Sequence, residues 1–152
     1  MGVSVNTYAM YTDIDFSVPF VKGKGRVRFV RATGRAYTPD ATASAMEQIR
    51  MAYTKAANGI KAPKGVAVCV SIETSRPMPK SRPKRMKSEH DIFKPDIDNI
   101  CKLVLDALNG VAWYDDTQVI NVDAFKCDRE RNSEERTDIS IQIQDWVPDG
   151  VL

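Results

Sequence analysis

The sequence predicts an α+β fold: one domain built from a mixed β-sheet and two helices, in the order β-β-α-β-α-β-β. Three observations lead there. A chain of 152 residues has the usual size of a single domain and is long enough to bury one hydrophobic core. Its apolar pattern switches repeatedly between short strand-like runs and helical spacing. No repeat of solenoid or propeller period and no linker divides it into halves, so the domain is expected to span 1–152. A composition of 43% hydrophobic and 28% charged residues is that of a globular chain.

Residues 14–21 and 26–31 read as two short strands joined by Lys22-Gly23-Lys24-Gly25, whose glycines suit a tight reversal, and together they predict a hairpin. After Gly34 and the turn-like Tyr37-Thr38-Pro39-Asp40, residues 41–57 are rich in Ala, Met, Glu and Gln and contain neither Pro nor Gly, which predicts the first helix. Asn58-Gly59 stops it. Residues 66–72 are almost uninterrupted Val, Ala, Cys and Ile and read as a strand inside the sheet, buried on both faces.

Residues 76–94 carry Pro77, Pro79 and Pro83 among basic side chains, which predicts a flexible functional loop without regular structure. Pro95 introduces the second helix over 96–109, where Ile97, Ile100, Cys101, Val104 and Leu108 recur at helical spacing and Gly110 follows as a stop. Residues 118–125 and 138–143 read as the last strands, with the charged stretch 128–136 as a solvated hairpin end.

The start of the chain lacks the basic and apolar run of a signal peptide, and no stretch reaches membrane-spanning length, so a cytoplasmic protein is expected. Cys69, Cys101 and Cys127 are odd in number and widely spaced, which argues against a disulfide framework or a Cys-x-x-Cys zinc site and for core thiols. The net charge of +2 is unevenly placed: residues 76–94 hold seven basic and two acidic residues, leaving the remainder net acidic. Such asymmetry points to a polyanion partner.

On the second helix, Asp98, Lys102 and Asp106 follow at four-residue intervals and share the face opposite the apolar stripe. Asp96 lies just before that face, and Asp115-Asp116 follows the helix, so several carboxylates are candidates to converge. Phosphodiester hydrolysis wants such a cluster, because Mg²⁺ takes oxygen ligands and a neighbouring lysine can stabilise developing negative charge. The bland alternative for each residue alone is equally definite: Asp96 as an N-cap, Asp98 as a first-turn acid paired with Lys102, Asp106 as a surface residue, and Asp115-Asp116 as a turn.

The run Lys94-Pro95-Asp96-Ile97-Asp98-Asn99-Ile100-Cys101-Lys102, continuing through Leu105-Asp106-Ala107-Leu108-Asn109-Gly110 to Asp115-Asp116 and Gln118-Val119, resembles the signature of RusA-family Holliday junction resolvases. Residues 24–29 and 34–39 resemble the family's earlier segments, with Val27 where related sequences often carry proline. The resemblance implies a RusA-like fold and a homodimeric crossover junction endodeoxyribonuclease acting in recombination and repair, often phage or prophage encoded. It implies that Asp96, Asp98 and Asp116 bind Mg²⁺, with Mn²⁺ as a substitute, and that Lys102 is the catalytic lysine. Asp115, Asp106 and Asn99 are further candidates, and His90 reads as incidental. In a nuclease, Arg76, Lys80, Arg82, Lys84, Arg85 and Lys87 are expected to neutralise DNA phosphates, with Lys24, Arg26 and Arg28 adding contacts. Trp113 and Tyr114 are expected to pack under the site or to stack on a base at the branch point. A DNA-architectural module that binds junctions without cutting, and a flap or RNA nuclease, are the alternatives from other classes.

Overall fold

The computed structural model describes residues 1–26, 28–37 and 39–151, so Val27 and Thr38, which the sequence reading drew on, lie outside the described residues. In chain order the elements are β1 (Gly2–Asn6), β2 (Tyr11–Val18), β3 (Arg28–Phe29), β4 (Ala36–Tyr37), α1 (Asp40–Ala57), β5 (Val68–Ser75), β6 (Ser88–Glu89), α2 (Ile97–Leu108), a 3-10 turn (Asp116–Gln118), β7 (Val119–Lys126), β8 (Arg129–Glu130) and β9 (Arg136–Ile143). Five strands form one sheet in the order β1-β2-β9-β5-β7. All neighbours are antiparallel except β5 and β7, which run parallel. The α+β class, the mixed sheet and the two helices match the sequence expectation.

Alternation along the strands sends Ile14, Phe16 and Val18 of β2, Val68, Val70 and Ile72 of β5, and Ile139, Ile141 and Ile143 of β9 to one face, where they are buried. Helix α1 covers that face with Ala45, Ile49, Tyr53 and Ala57, and α2 with Ile100, Leu103, Val104, Ala107 and Leu108. Tyr53 packs edge-on to Phe16 at 5.7 Å between ring centres, and its hydroxyl donates to the Ile60 carbonyl at 2.6 Å. Asn58 in the left-handed conformation ends α1.

Strand pairing departs from the sequence reading at three places. The N-terminal hairpin is β1 with β2, turned through an Asn6 side chain that accepts from the Ala9 amide at 2.7 Å. The expected pairing of 14–21 with 26–31 does not occur, because β1 and β9 occupy both edges of β2 and the chain after Val18 leaves the sheet. Among the described residues of the second run, only Arg28 and Phe29 are in a strand, paired with Tyr37 and Ala36.

Strand β5 lies inside the sheet as expected, yet Ser71 and Glu73 are exposed, so it is buried on one face rather than two. Residues 128–136 are not a hairpin end: β7 and β9 flank β5 on opposite sides, and β8 pairs with β6. The three cysteines are free thiols, half-buried rather than core.

Ile141 is fully buried between Ile14 and Val70 on the neighbouring strands. Ile141→Ala is expected to destabilise the protein by about 3 kcal/mol through lost burial and a residual cavity, read as a lower urea midpoint at unchanged m-value.

Candidate active site

The segment leading into α2 is held from below by cations. Lys126, the last residue of β7, donates from Nζ to the carbonyls of Phe93 (2.6 Å) and Pro95 (3.0 Å), and Arg76, just past β5, donates to the carbonyl of Lys94 (2.8 Å). Both cations also face Asp91, whose side chain is fully buried: Arg76 binds it with Nε at 3.0 Å and Nη2 at 2.5 Å, and Lys126 lies 3.9 Å away. Burial alone would raise the Asp91 pKa. The Arg76 hydrogen bonds and charge, then the Lys126 charge and the Phe93 amide, outweigh it and hold the carboxyl below its ordinary value. The peptide bond Lys94–Pro95 within this segment is cis.

Asp96 is the N-cap residue of α2 by backbone conformation, but its side chain makes no capping hydrogen bond. Its exposed carboxylate borders an open cleft of about 430 Å³ lined by Gly23, Lys24, Arg26, Lys94, Pro95 and Asn99. The 22–26 segment forms the far wall of this cleft: the Lys24 amide donates to the Asn99 carbonyl at 3.0 Å and the Gly25 amide to Thr42 Oγ1 at 3.0 Å. Gly23 permits the approach, since a Cβ there would meet Asn99 Cβ and Pro95 Cβ at 2.9 Å.

Asp98 and Lys102 are both exposed, with Nζ 3.7 Å from Oδ2. The third member of the row is spent differently: Asp106 forms an ion pair with Lys24, fastening the cleft wall to α2.

The turn after α2 is built around Trp113 and Gln118. Trp113 is fully buried, and its single N–H donates to Asp116 Oδ1 at 2.9 Å, which settles its role as packing. Asp115 accepts from the Thr117 amide at 3.0 Å and closes a capping box with Gln118, so it is a structural cap. Gln118 accepts from the amides of Tyr114 (2.9 Å) and Asp115 (3.1 Å) and donates to the carbonyls of Pro63 (2.8 Å) and Val66 (3.0 Å). Every hydrogen-bonding site of that amide is used. Tyr114 remains half exposed, with Lys61 Nζ 3.8 Å and Lys64 Nζ 5.3 Å from its ring centre. Sequence reasoning passed over these two lysines, because their nearness to Tyr114 arises only in the fold.

Asp116 does not join Asp96 and Asp98 within one chain. A parallel β5-α2-β7 unit places the start of the helix at the far end from the start of the second strand. Accordingly Asp96 sits by Lys126 at the end of β7, while Asp116 sits by residues 63 and 66, ahead of β5. The twelve residues of α2 alone span roughly 18 Å. Among the described residues, no three His, Cys, Asp or Glu side chains gather closely enough to cage a metal ion. The pair at the start of α2, two exposed carboxylates, still suits a hard cation that takes oxygen ligands and keeps several waters.

A model of the family described as Endodeoxyribonuclease RusA matches residues 19–144. The chain belongs to the RusA family. The match begins just after β2, runs through β9, and includes both the cleft and the α2 motif. The chain is also similar to a protein of Bacillus subtilis (strain 168), the uncharacterized protein YqaN, at 39% identity over 67 residues, covering 39% of this chain. The matched stretch spans about half of that relative, 47% of its length.

The basic stretch of this RusA-family chain is more ordered than its composition suggested. It contains β6, Met78 is buried with its amide bound to the Glu130 carbonyl at 3.0 Å, and Arg131 donates to the carbonyls of Met86, Arg82 and Pro83. Arg76 is committed to Asp91, and Arg82 to Glu89 at 2.9 Å. Lys80, Lys84, Arg85 and Lys87 are exposed. His90 pairs with Asp128 at 2.8 Å on the surface.

Arg76→Ala leaves a buried carboxylate short of its main partner, and a loss of about 3 kcal/mol is expected in chemical denaturation at pH 7. Because the folded-state pKa of Asp91 is depressed, its contribution is complete above the unfolded value of about 3.9 and disappears as the pH falls through the folded value. The gap between wild type and Arg76→Ala should therefore shrink below that pH.

Proposed function

We propose that this chain is a structure-selective endodeoxyribonuclease that resolves four-way (Holliday) DNA junctions by paired symmetric nicks, through Mg²⁺-dependent hydrolysis. The observation that carries this reading is the cleft that the uncapped Asp96 shares with Arg26 and Lys94, with Asp98 and Lys102 following on α2. Cations around a carboxylate pair suit a phosphodiester approaching a hydrolytic centre. A lone acidic patch would repel it.

In this reading Asp96 and Asp98 provide oxygen donors for Mg²⁺ or Mn²⁺, and Asp116, at the other end of α2 in its own chain, would join them as a third carboxylate only from the second copy of a homodimer. Bound there, the ion supplies a lowered pKa for water and neutralises charge on the phosphate oxygens. Lys102 stabilises the charge that develops on the phosphate as water attacks phosphorus in line. Arg26 and Lys94 seat the cleaved strand, Lys24 holds the cleft wall through Asp106, and Lys80, Lys84, Arg85 and Lys87 hold neighbouring phosphates without reading bases. Arg76 and Arg82 serve the fold, since carboxylates of the protein already engage them. Two cuts on a junction of approximate two-fold symmetry call for a homodimer, working in the cytoplasm of a bacterial or phage-infected cell in recombination and repair.

The test is cleavage of a synthetic four-way junction beside linear and flap controls, in Mg²⁺ or EDTA. Wild type should make paired nicks on the junction in Mg²⁺ alone. Asp98→Asn should lower the rate roughly 10³-fold, the scale on which a lost charge-stabilising group acts, while gel-shift binding persists. Binding without cutting by wild type would favour an architectural module, and equal cutting of flaps would favour a flap nuclease.

A further inference from the structure

The chain carries a second basic segment, shorter on elements than the 76–94 stretch but purer in charge. Residues 22–39 hold the six cations Lys22, Lys24, Arg26, Arg28, Arg31 and Arg35 and no Asp or Glu. Its distal part, residues 28–37, is a two-stranded arm made of β3 and β4. The arm is closed by its own backbone: the Val30 amide donates to the Arg35 carbonyl and the Gly34 amide to the Val30 carbonyl, both at 2.8 Å. Gly34, at a φ of +68°, supplies the left-handed residue that this reversal needs.

Every residue from Arg28 to Tyr37 is exposed, so the arm stands clear of the core. Phe29 is 69% and Tyr37 47% exposed. Strand register sets Arg28 opposite Tyr37 and Phe29 opposite the small Ala36, and alternation then sends the two rings to opposite faces of the ribbon. Neither ring can cover the other. A lone two-stranded ribbon is marginal in water, and rings left in solvent contribute nothing to holding it. Among the described residues, no carboxylate lies within ion-pair distance of Arg28, Arg31 or Arg35, unlike Arg76 and Arg82 of the other basic stretch. The arm therefore presents free cations and free aromatic faces together.

Its place in the fold says where these groups act. Lys24 and Arg26, just ahead of β3, line the cleft beside Asp96, and Lys24 is fastened to α2 through Asp106. A strand seated in that cleft passes the root of the arm. Guanidinium groups suit its phosphates. Aromatic rings suit base faces, and a continuous duplex hides those faces by stacking them on one another; they become available where strands part, exchange or end. The arm has no Asn, Gln, Asp or Glu with which to read base edges, so its chemistry favours the shape of the DNA over its sequence.

We propose that the 28–37 arm selects branched DNA: Phe29 and Tyr37 stack on bases left unstacked beside the cut, while Arg28, Arg31 and Arg35 bind the flanking phosphates. This deepens the junction nuclease reading, on which it rests for DNA as the ligand.

The experiment measures binding in EDTA, where no cutting is needed, to a synthetic four-way junction and to a linear duplex of the same length. Phe29→Ala/Tyr37→Ala should weaken junction binding by about 10-fold for each ring lost, the scale of one base stacked on an aromatic side chain. Its duplex binding and thermal melt should stay as in wild type. Phe29→Trp/Tyr37→Trp should restore the preference for the junction. Arg28→Gln/Arg31→Gln/Arg35→Gln should weaken binding to both DNAs and lower the salt slope by roughly three. As a direct readout, 2-aminopurine is placed in turn at each base flanking the branch. Wild type should change its fluorescence at one or more of these positions, and the double alanine variant at none.

Equal loss on junction and duplex, no loss on either, or an unaltered 2-aminopurine signal in the double alanine variant overturns the arm's role. So does a wild type that binds branched and linear DNA alike. If wild type instead prefers a flap, the four-way junction reading fails, and the same variants compared on flap and duplex decide the arm by the same outcomes.

Discussion

The Asp91 carboxylate is tolerated inside the protein only while Arg76 and Lys126 face it, because a buried charge without partners is among the costliest defects a fold can carry. That requirement reaches far beyond one ion pair. Arg76 follows β5 and Lys126 ends β7, and the two strands run parallel in a register that sets Thr74 opposite Lys126. Only parallel pairing brings both strand ends to the same edge of the sheet, so the two cations emerge side by side with the 91–95 segment between them. Having met Asp91, the same cations spend their remaining donors on the carbonyls of Phe93, Lys94 and Pro95. The start of α2 is therefore fixed by the sheet, and the exposed Asp96 and Asp98 stand on a rigid base.

What the sequence could disclose follows from the range of the interactions concerned. Helix α2 was legible because its apolar positions, Pro95 and Gly110 are local signals, and the α2 motif pointed to a nuclease before any fold was known. The order of the main elements was legible too, although the first two strands proved to be β1 and β2 rather than 14–21 with 26–31. Strand partners are chosen by distant residues, and nothing near Lys22-Gly23-Lys24-Gly25 announces that β9 will claim β2. The same limit explains Arg76 and Arg82. Counting charge along 76–94 could not reveal that Asp91 and Glu89 would engage two of its cations, or that Arg129 would stack on Phe93 at 4.3 Å and Arg131 would bind the loop's carbonyls. The expected convergence of Asp116 with Asp96 and Asp98 does not occur within the chain, because a crossover helix separates the ends that sequence proximity seemed to join.

Lys24 and Gln118 perform parallel tasks at the two ends of the β5-α2-β7 unit. Lys24, through its amide to Asn99 and its ammonium to Asp106, binds the 22–26 segment to α2. Gln118 binds the 63–66 loop to the turn bearing Asp116. In each case a loop rich in basic or small residues, mobile by composition, is tied beside a carboxylate by hydrogen bonds that exclude alternative positions. The cost of ordering these loops is met by the fold, which leaves less to be ordered when a polyanion arrives.

The distribution of charge then decides from which side such a partner comes. The sheet face opposite the helices carries Asp13 and Asp15 on β2, Glu73 on β5 and Asp138 on β9, and the register sets Glu73 beside Asp138. Burial raises the Asp13 pKa against a hydrogen bond from Gln142, and the neighbouring Asp15 charge adds a smaller push in the same direction. Among the described residues of that face, Arg136 answers only Asp138, at 3.2 Å. Lys24, Arg26 and Lys94 instead surround the cleft at the start of α2, and Lys80, Lys84, Arg85 and Lys87 extend from the adjoining loop. A chain of nearly balanced net charge thus has two unlike sides, an open sheet rich in carboxylates and an edge where cations gather near Asp96 and Asp98, so the proposed phosphate-backbone partner would be repelled from the first and drawn to the second. The uneven charge noted along the sequence becomes, in three dimensions, a direction of approach.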